Sequence, residues 1–211
     1  MKEQAEEPRF VFFAKLVSQI FHPVFMPTIS FALVFFLSEL SVFALPQTIR
    51  NLVILLVFLN TCLLPVVFSF TLKKFGFIHS MEMENPTERW VPYMFTTILY
   101  LLTYFLLLKA RLSPAVYLMQ LGGIMALTLT TLINFKWKIS AHLVGIGGLT
   151  GTFYGLHYHG HLNHLFPILI GFMLGGLVAS ARLALHAHTP AQVYAGFLLG
   201  FFCVAGIFFL A

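Results

Sequence analysis

Residues 164–211 read HLFPILIGFMLGGLVASARLALHAHTPAQVYAGFLLGFFCVAGIFFLA, two apolar runs of about twenty residues separated by a short polar connection. About twenty apolar residues in a helix are what it takes to cross the ~30 Å hydrocarbon layer of a bilayer. The rest of the chain repeats this rhythm. Further runs fall at 24–44, 50–72, 91–109, 113–134 and 141–158, so with 164–183 and 190–211 the pattern predicts about seven crossings. Backbone groups in lipid must be satisfied within the segment, and these runs are too long and too evenly apolar for barrel strands. The expected fold is all-α, a polytopic transmembrane helical bundle forming one domain over 1–211, with no long linker dividing it. Residues 10–21, shorter and carrying Lys15, Ser18 and Gln19 ahead of His22-Pro23, are expected to form an N-terminal interfacial helix.

Composition agrees. Of 211 residues, 59% are hydrophobic and 9% charged, with a mean hydropathy of +0.92, which excludes a water-soluble domain. The net charge of +5 does not signal nucleic acid, because the twelve Lys and Arg stand at the ends of apolar runs and form no basic stripe. The start of the chain carries three glutamates and lacks the pattern of a removable signal peptide. Cys62 and Cys203 lie in apolar runs and read as small buried hydrophobes. Glycines at four-residue spacing, at 147, 151 and 155, at 171 and 175, and at 196 and 200, are expected to let helix backbones approach closely.

Each crossing switches sides, so loops two crossings apart share a compartment. The N-terminal side then receives the connections 73–90, 135–140 and 184–189, and the opposite side receives 45–49, 110–112 and 159–163. The first side holds Lys2, Arg9, Lys15, Lys73, Lys74, Arg89, Lys136, Lys138 and Arg182, against Arg50, Lys109 and Arg111 on the other. The excess of positive charge marks that side as cytoplasmic. The same side gathers Glu82, Glu84, Glu88, Ser140, His142, His186, His188 and Gln192, the makings of a site for an anionic headgroup.

These residues resemble the type 2 phosphatidic acid phosphatase and vanadium haloperoxidase superfamily over roughly 82–200. Its third motif is Ser-Arg, five residues, His, three residues, Asp; here Ala181-Arg182 is followed at that spacing by His188 and then Gln192. Its second, Pro-Ser-Gly-His, is similar to Ile139-Ser140-Ala141-His142. Its first, Lys, six residues, Arg-Pro, survives as Arg89 with Glu82 in the lysine's place and Pro92 displaced. The resemblance implies a bacterial cytoplasmic-membrane lipid phosphatase working without a cofactor. His188 would be the nucleophile and His142 the general acid, while Arg182, Arg89, Ser140 and Lys138 would clamp the phosphate of phosphatidate, phosphatidylglycerophosphate or a polyprenyl phosphate or diphosphate. It also implies a pocket facing outward, opposite to the charge count.

Gln192 can fix a histidine tautomer but carries no charge, and the chain contains no aspartate. Glu82, Glu84 or Glu88 is therefore the expected source of any supporting carboxylate. The alternative is a non-catalytic relative that binds or moves an anionic lipid. A metalloenzyme built on His142, His188 and a glutamate fits less well, since Arg182 and Arg89 would repel a cation. Away from these motifs, His157, His159, His161 and His164 form a cluster that suits metal by composition alone.

Overall fold

Glycine decides where the helices meet. A Cβ placed on Gly147 would lie 2.1 Å from the Phe197 carbonyl oxygen, one on Gly151 would lie 2.6 Å from the Phe201 oxygen, and one on Gly200 would lie 2.0 Å from the Val144 oxygen. The helices Ala141–Tyr158 (α7) and Pro190–Leu210 (α9) therefore touch backbone to backbone along most of their length, the close approach that small residues permit. The glycine spacing gives the packing expected of it.

The computed structural model describes residues 9–37, 45–81, 83 and 85–210. Before α7 the chain runs through α1 (Arg9–Ile20), a 3₁₀ turn (Pro23–Phe25), α2 (Met26–Leu37), α3 (Gln47–Phe58), a π-helical segment (Leu59–Leu63), α4 (Leu64–Lys74), α5 (Trp90–Lys109) and α6 (Pro114–Asn134); α8 (Phe166–Ala184) lies between α7 and α9. No strand occurs among the described residues. The runs Arg9–Leu37, Gln47–Lys74, Thr87–Lys109, Pro114–Asn134, Phe166–Ala184 and Pro190–Leu210 are each long and apolar enough to cross a membrane, so the protein is an integral multi-pass membrane protein.

The remaining expected crossing, α7, does not meet that apolar criterion, and its packing explains why. It contacts α2, α6, α8 and α9, so most of its surface meets other helices instead of lipid, with Tyr154 and Tyr158 the large side chains left exposed. Gly, Thr and His can replace Leu and Phe on such a helix at no lipid-facing cost. The outward faces of the other helices carry the opposite chemistry, with Phe105, Leu169, Met173 and Phe202 more than half exposed.

Two expectations shift. The first apolar run is α2 preceded by a turn, and the part of 24–44 beyond residue 37 lies outside the described residues. The N-terminal helix α1 packs on α8, burying Ala14, Val17 and Ser18 and leaving Phe10, Phe12 and Phe13 exposed. The second run is interrupted by the π segment. Pro65 has no N–H for the Thr61 carbonyl and its ring crowds that oxygen, so the helix widens over Leu59–Leu63.

Candidate anion site

Arg182 closes α8 and Arg89 closes a 3₁₀ turn (Pro86–Arg89) leading into α5. That turn forms locally, because Asn85 Oδ1 accepts from the Thr87 amide at 3.1 Å and from its hydroxyl at 2.8 Å, and Pro86 starts the turn with its φ already set. Arg89 is buried, and its Nε donates to the Met83 carbonyl at 2.9 Å. Arg182 has its Nε shut off from solvent with no hydrogen-bond partner. The two guanidinium groups are within electrostatic range of each other, and neither makes an ion pair among the described residues.

His188, 9% exposed, stands between α8 and α9 and feels Arg182, Arg89 and Lys138 together. Its Nδ1 is 3.1 Å from Gln192 Oε1, and the Thr189 amide donates to the same oxygen at 3.1 Å. A backbone N–H can only donate, so the Gln192 atom facing His188 is the carbonyl oxygen, and His188 must carry its proton on Nδ1. Nε2 is left with a bare lone pair. Burial, then the charges of Arg182, Arg89 and Lys138, outweigh the Gln192 hydrogen bond and push the His188 pKa down to about 4. The ring is neutral at physiological pH.

His142 sits in the first turn of α7, within electrostatic range of Arg182, His22 and His188. Its Nε2 lies 3.1 Å from the Ser18 carbonyl, which can only accept, so Nε2 is protonated and Nδ1 is the nitrogen left to exchange a proton. Ser140, just before it, is fully buried; its amide donates to the Gln192 carbonyl at 3.3 Å and its hydroxyl has no partner. That amide bond ties the start of α7 to the start of α9, and Gly196 lets the two approach, a Cβ there falling 2.7 Å from the Ser140 oxygen.

The structure therefore brings together Arg89, Lys138, Ser140, His142, Arg182, His188 and Gln192 from three separate connections. It does not bring Glu88 to His188. Both Glu88 oxygens go to His79, one accepting from the amide at 3.2 Å and the other 2.7 Å from Nδ1, a clasp that joins the two ends of the loop bearing Arg89. Glu82 and Glu84 lie outside the described residues. His186 is exposed and has φ +50°, the left-handed region.

Sequence reasoning missed His22. Its ring stands edge-on to His142 at 5.4 Å between centroids and within electrostatic range of Arg182. A signal existed: the crossing count places residue 22 on the same side as the motifs. At the opposite end, the expected metal candidates are engaged otherwise. His157 Nδ1 is 2.7 Å from the Leu162 carbonyl, and His159 Nε2 is 2.6 Å from the Phe208 carbonyl. Among the described residues no three His, Cys, Asp or Glu lie close enough to hold a metal ion.

Below the cationic cluster, a cavity of about 160 Å³ runs into the bundle between α2, α4, α5, α6 and α7. Pro23, Tyr93 and Ala141 line its end nearest His22 and His142, while Tyr100, Gln120 and Val204 line its deeper part. Its volume is close to the roughly 150 Å³ of a cavity that holds one benzene ring, room for part of one hydrocarbon chain but not two.

Compared with known proteins, the chain matches no family model, no curated protein and no solved structure at the level of significance required.

Proposed function

We propose that the protein is a lipid phosphatase of the bacterial cytoplasmic membrane, related to the type 2 phosphatidic acid phosphatases, with His188 as its nucleophile. The observation that carries this reading is the pairing of Arg89 and Arg182, without a described carboxylate between them, beside an imidazole whose Nε2 is unprotonated. Phosphoryl transfer needs mainly positioning and cations where charge accumulates.

In this reading the Nε2 lone pair attacks phosphorus while the bond to the lipid oxygen breaks. His142 enters the step as the imidazolium, with a second proton on Nδ1 beside the one Nε2 donates to the Ser18 carbonyl. It gives the lipid oxygen the Nδ1 proton, and the same nitrogen then takes a proton from the water that splits the phosphohistidine. Arg182, Arg89 and Lys138 hold the phosphate oxygens. Gln192 selects the tautomer that a carboxylate would otherwise select, but it cannot stabilise the imidazolium-like intermediate, so a modest turnover is expected. The cavity beside the site supports a lipid over a soluble phosphate ester, since an apolar chain can lie beneath an anionic head.

The uncharged Gln192 favours a second reading, binding or transport of an anionic phospholipid or polyprenyl phosphate without hydrolysis. Purified protein in detergent, offered phosphatidate, phosphatidylglycerophosphate and polyprenyl phosphates or diphosphates, separates the two. Phosphate release by wild type and not by His188→Ala supports the enzyme. Equal release by both proteins removes it, and lipid binding without release supports the second reading. Cysteine labelling at Ser80 and Gly160 reads which compartment the site faces.

A further inference from the structure

The turn between α1 and α2 places a histidine at the site that no motif includes. His22 caps the Pro23–Phe25 turn, and its Nδ1 accepts the Val24 amide at 3.4 Å. With Nδ1 accepting, the proton of the ring lies on Nε2. That N–H has no partner among the described residues. The ring is exposed on the face where the connections converge, 5.4 Å from His142, with Arg182 acting on both.

We propose that His22 is an anion-binding residue of this site, donating its Nε2–H as a neutral imidazole to an oxygen of the bound phosphate. The assignment rests on the reading of the site as one for phosphate. The surroundings explain why a neutral donor suits the position: Arg89, Lys138 and Arg182 already supply charge, and a further cation there would repel them. A neutral N–H adds a directed hydrogen bond without that repulsion. The assignment also gives α1 a part in the site. The Ser18 carbonyl holds His142, the last residues of α1 lead into His22, and α1 packs on α8, which bears Arg182. His22 and Arg182 thus approach the same space from helices that touch.

Inorganic phosphate binding to the purified full-length protein in detergent, measured by calorimetry at pH 6 and pH 8, tests this. His22→Phe keeps a ring of similar shape and removes the donor, and should weaken binding about ten- to a hundredfold, the range for a hydrogen bond to a charged group. His22→Gln restores an N–H donor and should stay within about threefold of wild type. Both effects should be present in full at pH 8, where the ring is neutral. The assignment is overturned if His22→Phe binds phosphate as wild type does, if Phe and Gln lose equally, or if the loss appears only at pH 6, where a cationic ring would act. Wild-type protein that binds no phosphate at either pH overturns the reading of the whole site, and His22 with it.

Discussion

Both ends of the bundle are rich in histidine, and they use it differently. At one end His22, His142 and His188 come from sequence positions far apart, and each has one nitrogen held by a neighbour and the other left over. At the other end His157, His159 and His161 are close in sequence, and the first two bond to the Leu162 and Phe208 carbonyls. His159 and His161 stack at 6.1 Å, and burial and then His159 lower the pKa of His161. His157 ties down the loop that follows α7, and His159 satisfies an orphan carbonyl in the last turn of α9. Histidines gathered by the fold, beside two arginines, have something else to meet. Convergence in space is the evidence of a site, and composition is not.

The comparison breaks most sharply at His188, the nucleophile of the proposed mechanism. His188→Ala should lower lipid phosphate hydrolysis by about a thousandfold or more, as loss of a nucleophile does, whereas His159→Ala should leave the rate within about threefold. Comparable losses in both, measured as phosphate release at equal protein, would erase the distinction between the two ends. Next in size is the proposed clamp. Arg182→Ala should cost about a hundred- to a thousandfold in kcat/KM, and Arg182→Lys should recover only part, because a point charge does not replace a planar fork.

A third test concerns protons. His188 is held near pKa 4 in the folded protein, against an ordinary value of 6.5. As pH falls from 6.5 toward 4 the unfolded chain takes up a proton that the folded chain refuses, so folding stability is lost across that window. Thermal denaturation in detergent should show Tm falling from pH 7 to pH 4.5, and His188→Gln should flatten the slope. An unchanged slope would mean that the ring is not held neutral. The smallest effect belongs to the other end. His159→Phe removes the bond to the Phe208 carbonyl and should lower stability by about 1 kcal/mol, with no change in phosphate affinity.

Much of this was legible in the sequence. From residue 47 onward, apolar run length placed the helices to within a few residues, since lipid imposes one length on every crossing. The crossing count alone brings Arg182, His142 and His188 to one face, because alternation of sides is a matter of arithmetic. The role of Gln192 was half visible: spacing marked the position, but only the Thr189 amide shows which end of the amide faces His188. Other features depended on three-dimensional packing. Nothing in MEMENPTE marks Glu88 as the partner of His79, which engages both its oxygens. His22 hid in a two-residue signal, His-Pro, that reads as a helix break. The π segment followed from Pro65, yet its exact extent depends on neighbours that the sequence does not display.

The glycine seam between α7 and α9 has a mechanical consequence. Two helices in backbone contact cannot slide without driving carbonyls into each other, so they behave as one strut. His142 rides on one end of that strut and His188 at the same end of its partner, and their separation is insulated from changes in bilayer thickness. Such changes must be absorbed outside that pair of helices.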